Sequence, residues 1–279
     1  MVAEAERANV PVGSPYDYRV GAGEKVGESD ARSALESGDW GFMHSFTTGS
    51  AVDGPGVRVV GWLTGCQFKC VFCHNPDTWK MINGIPVTAS RAVEAVKQYR
   101  IGLATMHGGL TISGGEPLLQ HRFVLRVFKG VHDAGIHTAL ETNGYHGARL
   151  ADADFASIDL VMLGLKAFTP DLHKRLTGVD NAPVQEFARR LAERKQPVWV
   201  RFVVVPGWTD NVDEAGKMAD FVASLGNVER VDVLPFHQMG KFKWEKLGME
   251  YQMRDAPTPS RDTMEKIIAR FSSAGLKAV

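Results

Sequence analysis

Six short apolar runs limit what this chain can fold into more than any other feature. They are Val57–Leu63, Leu110–Ser113, His137–Glu141, Leu160–Lys166, Val198–Val205 and Val231–Pro235. Runs of this length, rich in Val, Leu and Ile and bounded by Gly or Pro, fit strands buried on both faces of a parallel sheet. The stretches between them carry the helical period. Phe123, Val127, Val131 and Ala134 share one helical face, and Gly135 can end that helix in a left-handed cap. Met218, Phe221, Val222 and Leu225 repeat the pattern before Gly226, as do Met264, Ile267, Ile268 and Phe271 before Gly275. Thr88 or Ser90 can cap a helix carrying Val93, Val96 and Tyr99. Roughly 20 to 35 residues separate most of the strands, the length of a βα unit. The fold class is therefore α/β. Six units make either an open barrel or a doubly wound sheet, and periodicity does not choose between them.

Residues 1 to about 41 read differently. Gly13, Pro15, Gly21, Gly23, Gly27 and Gly38 interrupt them, no period persists, and too little apolar surface is present to offset the entropy of ordering. A disordered N-terminal extension over 1–41 and one domain over 42–279 are expected. With 32 basic and 32 acidic side chains the net charge is zero, so a general basic surface for nucleic acid is excluded. No apolar run approaches the roughly 18 residues that would span a bilayer, and the N-terminus lacks the apolar block of a secretory signal. A cytoplasmic protein is expected.

The three cysteines of the chain lie in one loop after the first expected strand, as Cys66-Gln-Phe-Lys-Cys70-Val-Phe-Cys73. An odd number so close together is no disulfide framework. Structural zinc asks for four protein ligands. His74 could be the fourth, but it is adjacent to Cys73, and neighbouring residues rarely both reach one tetrahedral ion. A 4Fe-4S cluster is normally held by four thiolates; with three, one iron keeps an open position for a small molecule. The bland alternative is three free cysteines in a buried apolar site, but this loop also carries Gln67, Lys69, His74, Asn75 and Asp77.

This spacing resembles the C-x3-C-x2-C motif of the radical S-adenosylmethionine (SAM) enzymes. That resemblance implies a partial (β/α)6 barrel with the cluster loop after its first strand, which settles the choice left open above. In the family the amino and carboxylate groups of SAM chelate the fourth iron. One electron then cleaves SAM to methionine and a 5′-deoxyadenosyl radical. Within the family, the segments Val52–Arg58, Gly65–Trp79, Ser113–Pro117, Thr142–Gly144, Val203–Trp208, Leu234–His237 and Gly240–Trp244 resemble those of the pyruvate formate-lyase activating enzymes. The likeness runs from about His44 to Leu276. It implies an oxidoreductase of anaerobic metabolism that takes a hydrogen from a glycine of pyruvate formate-lyase and leaves a glycyl radical there. A reduced flavodoxin or ferredoxin would supply the electron. A monomer is expected, with no membrane and no nucleic-acid partner. The absence of any further cysteine excludes the inserted ferredoxin-like domain of some relatives.

Cys66, Cys70 and Cys73 are then the cluster ligands. The resemblance assigns SAM to Phe72, Cys73, His74, Gly114, Gly115, Glu141, Gly164, Leu165, Lys166 and His237. Period 2 puts Met162, Gly164 and Lys166 on one strand face, and a lysine facing the interior needs an anion. Structural roles compete: Gly114 and Gly115 for a tight turn, Phe72 for the core, His237 for a strand end. Asp53, Arg58 and Arg201 are candidate substrate contacts, with both arginines expected at the barrel mouth. The family has aspartates where this chain has Glu141 and Gly164. There those carboxylates, with the equivalents of Thr142 and the backbone near Met162, hold a monovalent cation, so one carboxylate of that site is missing. Two other readings compete: a radical SAM enzyme acting on a small molecule, like 7-carboxy-7-deazaguanine synthase, and a zinc-stabilised binding module.

Overall fold

A computed structural model describes Ser33 and residues 36–279. Most of the expected N-terminal extension lies outside the described residues. The strands are β1 (Trp40–Ser50), β2 (Arg58–Leu63), β3 (Ile85–Thr88), β4 (Gly109–Gly114), β5 (His137–Thr142), β6 (Leu160–Gly164), β7 (Val198–Val204) and β8 (Val228–Pro235). The helices among the described residues are α1 (Ala89–Lys97), α2 (Arg100–Thr105), α3 (His121–His132), α4 (Pro170–Thr177), α5 (Ala182–Glu193), α6 (Val212–Leu225), α7 (Lys241–Lys246) and α8 (Arg261–Ser273).

The strands form one sheet in the order β3-β1-β2-β4-β5-β6-β7-β8. From β2 to β8 every neighbouring pair is parallel and the order follows the chain. That is the six-unit open barrel, with all six expected strands found within a few residues of their expected ends. The helix signals hold locally as well. Thr88 caps α1 by accepting from Arg91 N–H at 3.2 Å, and Gly135, Gly226 and Gly275 all take positive φ, at 74°, 72° and 84°.

Alternation across the strands sorts the two faces. Val161, Leu163, Val200 and Phe202 join the large core under the helices, where Phe202 meets Phe271 with ring centroids 5.4 Å apart. Ala139, Leu160, Met162 and Trp199 form a separate small cluster on the opposite, inner face. These side chains fill part of the inner face, and ligand contacts in such barrels gather toward the C-terminal ends of the strands.

The hairpin edge departs from expectation. β1 pairs antiparallel with both β2 and β3, so the sheet starts at Trp40 and extends outward past its first parallel strand. Only Gly41, Phe42 and Met43 of β1 are buried. Ser45, Thr47, Thr48 and Gly49 give it no apolar run to read, as befits a strand near the sheet edge.

Candidate functional site

Leu63 ends β2 at its C-terminal end and delivers the chain into the cysteine loop. Backbone bonds hold that loop on two sides. Gly65 N–H donates to Thr78 O at 2.7 Å and Cys66 N–H to Trp79 O at 3.1 Å, while Lys69 N–H and Val71 N–H donate to Thr177 O and Leu176 O at the end of α4 at 2.7 and 3.0 Å. Lys69 Nζ reaches back to Cys66 O at 2.8 Å. Burial pushes all three thiols up, Cys70 to about 12, with Cys70 and then Glu116 adding to the rise at Cys66. Such thiols stay protonated until a metal centre replaces their protons. Among the described residues no three His, Cys, Asp or Glu side chains converge on one point as a single metal ion requires. Three thiolates that each bind a different iron of a cluster need no such convergence. The loop fits a 4Fe-4S cluster on these grounds.

The glycines after β4 have a backbone reason. A Cβ on Gly114, whose φ is 116°, would lie 2.2 Å from Leu63 N, and one on Gly115 would lie 2.3 Å from Gly65 O. They let the end of β4 close onto the cysteine loop, with Gly115 N–H and Glu116 N–H donating to Leu63 O and Gly65 O at 2.8 and 2.7 Å.

Glu116 is the residue that sequence reasoning left without a role. Its carboxylate is fully buried. It accepts from Leu118 N–H at 2.9 Å, Thr142 Oγ1 at 2.6 Å and Asn143 N–H at 2.8 Å. Burial raises its pKa above the ordinary value, and these three donors oppose the rise. One carboxylate thereby joins the loops after β4 and β5, and its own N–H fastens them to the cysteine loop. Asn143 was also missed. Its Oδ1 accepts from Gln67 Nε2 at 3.1 Å and Tyr145 N–H at 3.0 Å, which aims Nδ2 at Cys66 Sγ, 4.0 Å away.

The chain after β8 folds back on the same loop. His237 stacks on His74 with ring centroids 4.0 Å apart, and His74 Nε2 lies 3.0 Å from His237 O. Burial and then His237 lower the His74 pKa to about 4, so that ring is neutral at pH 7. Trp244 Nε1 donates to Cys73 O at 2.8 Å. Gly240 lies so close that a Cβ there would come within 2.6 Å of His74 Cα. Phe72 packs in the large core, the structural role that the sequence also allowed, and Leu165 is buried with it.

Inside the barrel Arg201 lies at the centre of a charged group. Its Nη1 reaches Glu141 Oε1 at 2.5 Å and Asp53 Oδ1 at 3.5 Å, and its Nε is 3.9 Å from Asp232 Oδ2. Nη2 donates to Val52 O at 2.8 Å. Burial opposes ionisation of Glu141, yet Arg201 and Ser113 hold its carboxyl below the usual carboxylate range. Asp53 and Arg201, far apart in sequence, are therefore one unit.

Arg58 is a correction. It opens β2, at the end opposite the cysteine loop, and is fully buried. Its guanidinium donates to Thr111 Oγ1 at 3.0 Å and Leu110 O at 2.5 Å, and lies 3.2 Å from His137 Nδ1. Burial lowers its pKa to about 10. The side chain ties the foot of β2 to β4 and β5 and does not flank the mouth.

With this geometry established, comparisons with known proteins are decisive. A profile of the radical SAM superfamily matches residues 62–222. The chain is 40% identical over 241 residues to the pyruvate formate-lyase 1-activating enzyme of Escherichia coli K12, covering 86% of this chain and 98% of that one. It belongs to the pyruvate formate-lyase activating enzymes of the radical SAM superfamily. A second member of that family, the activating enzyme of Staphylococcus aureus USA300, is 38% identical over 232 residues, or 81% of this chain and 92% of that one. A domain of the pyruvate formate-lyase-activating enzyme from Bacteroides vulgatus superposes with TM-score 0.51 at 25% identity, covering 62% of this chain and 98% of that one. A radical SAM methyltransferase from Sphaerobacter thermophilus shares the fold, with TM-score 0.59 at 19% identity over 84% of this chain and 72% of that one.

Proposed function

We propose that this chain is the activase of a pyruvate formate-lyase, removing one α-hydrogen from a glycine of that partner with SAM as co-substrate. The observation that carries the reading is the 40% identity extending over 98% of the E. coli enzyme, with the three-cysteine loop inside the matched span. When bound, the 4Fe-4S cluster supplies the single electron that cleaves SAM. Cys66, Cys70 and Cys73 hold it, and the Asn143 amide beside Cys66 Sγ supports the sulfur's charge. Lys166, His237, His74 and the backbone at Gly114 and Gly115 hold SAM. Neutral His74 offers adenine a stacking face without adding charge. The Asp53–Arg201 unit orients the incoming glycine backbone: a carboxylate accepts from its N–H and a guanidinium donates to its C=O. No side chain moves a proton in the hydrogen transfer. The barrel contributes position and dryness, keeping the glycine close to C5′ and water out.

Among the described residues no helix is long and apolar enough to cross a membrane. The family resemblance carries the rest of this reading, a cytoplasmic enzyme fed by a reduced flavodoxin or ferredoxin. The test is anaerobic reconstitution with iron and sulfide, reduction, and electron paramagnetic resonance with and without SAM, followed by addition of pyruvate formate-lyase. A cluster signal that shifts with SAM, then a glycyl radical doublet, is expected. 5′-Deoxyadenosine formed with no doublet on the partner would favour the small-molecule radical SAM reading. Stoichiometric zinc without iron would favour the binding module.

A further inference from the structure

The activating-enzyme family carries the expectation of a monovalent cation beside the SAM carboxylate, which here would fall to Glu141, Thr142 and Met162. The donor set of this chain lacks the second carboxylate, and its first is already paired. Both carboxylate oxygens of Glu141 are engaged, Oε1 by Arg201 Nη1 at 2.5 Å and Oε2 by Ser113 Oγ at 2.6 Å. The Thr142 hydroxyl donates to Glu116 at 2.6 Å and accepts from Gly144 N–H at 2.9 Å. The Met162 side chain is buried in the inner apolar cluster, and the backbone beside it is neutral and cannot replace a lost carboxylate. Gly164 contributes no side chain at all, and the space where one would begin is taken. An ideal Cβ on Gly164 would lie 2.9 Å from Lys166 Nζ and 3.6 Å from Thr142 O. That ammonium makes no hydrogen bond or ion pair among the described residues. A metal ion placed here would meet the Lys166 ammonium where the second carboxylate would begin, while the first, Glu141, is already paired with Arg201.

We infer that this chain carries the positive charge of that site on its own side chains, Arg201 against Glu141 and Lys166 against Gly164, and binds SAM without a monovalent metal ion. Arg201 satisfies Glu141, and the Lys166 ammonium remains for the SAM carboxylate. The inference rests on the functional reading above, in which SAM is the ligand. It deepens that reading by giving the ionic requirement of this one chain.

The test measures the SAM dissociation constant of the reconstituted enzyme by calorimetry at fixed ionic strength. Potassium, sodium or tetramethylammonium serves as the only monovalent cation, the last being too large to enter such a site. The three constants are expected to agree within about twofold. The G164D variant restores the missing carboxylate at the cost of displacing only the tip of a flexible lysine. It is expected to bind SAM at least about fivefold more tightly in potassium than in tetramethylammonium. A wild-type enzyme that loses about tenfold or more in tetramethylammonium overturns the inference. So does a G164D variant as indifferent to the cation as wild type, because Gly164 would then not be what removes the site. Failure to bind SAM in any salt would overturn the functional reading, and this inference with it.

Discussion

Glu116 offers the sharpest test of how the site is assembled. Its buried carboxylate accepts three hydrogen bonds from two loops, and bonds to a charged acceptor contribute about 1.5–3 kcal/mol each. Glu116→Ala removes all three and strands two buried N–H groups and a hydroxyl. Part of that loss is offset because a buried carboxylate no longer has to be desolvated, which leaves a net cost of about 3–5 kcal/mol. Glu116→Gln keeps one oxygen. With its carbonyl toward Leu118 and Thr142, its amide must meet Asn143 N–H donor to donor, so one bond is lost at about 1–3 kcal/mol. Urea unfolding of the two variants under reducing, metal-free conditions reads these numbers directly. Iron and sulfide content after reconstitution then reports whether the cysteine loop still holds its shape. The order wild type, Gln, Ala is the result expected in both assays. Equal losses for Gln and Ala, or less than about 1 kcal/mol for either, would refute the keystone role.

Other outcomes follow from the same geometry. Arg58→Met should lower unfolding stability by about 2–4 kcal/mol, since it strands buried carbonyls at the foot of the barrel, while the SAM dissociation constant of the reconstituted enzyme stays within about twofold. Asn143→Ala removes the donor facing Cys66 Sγ, so the cluster should become harder to reduce, seen as a more negative midpoint in a redox titration. His146, half-buried and with Nε2 unpartnered, has its pKa lowered from 6.5 to about 4 by burial and then by Arg149. The unfolded chain therefore binds the extra proton first, and stability should fall as pH drops from about 6.5 toward 4. His146→Gln should flatten that part of the urea-midpoint profile.

What the sequence made legible tracks what is local. Strands buried on both faces announce themselves as continuous apolar runs, so β2 and β4 to β8 could be read directly. A cysteine loop eight residues long needs no third dimension to be noticed. β1 was hidden because its outer half is Ser, Thr and Gly, and β3 because it is four residues long and contains Pro86. Arg58 was misplaced because strand direction decides which end of β2 faces the cluster, and a lone arginine carries no sign of direction. Glu116 stood in plain view in Ser113–Pro117, but two of its three partners lie 26 and 27 residues away. The grouping of Arg201 with Asp53, Glu141 and Asp232 draws on three strands and a hairpin loop, and no spacing in the sequence encodes it.

The outer side of β8 has a bearing on how a partner protein can be recognised. Val231 N–H donates to Lys277 O at 2.9 Å, Val279 N–H to Val231 O at 3.0 Å and Val233 N–H to Val279 O at 2.9 Å. The chain thus lays its own residues 277–279 along the strand edge that an open barrel would otherwise leave bare. A guest peptide reaching that side finds no row of unpaired backbone groups to extend, so it cannot be captured as an added strand along Val231–Val233. Adding a strand is tolerant of sequence, because every peptide has the same backbone. With that stretch covered, selection of an incoming loop there falls to side chains and not to strand addition. An enzyme that places a radical on another protein's backbone gains from such discrimination, since few other peptides would be held long enough to be damaged.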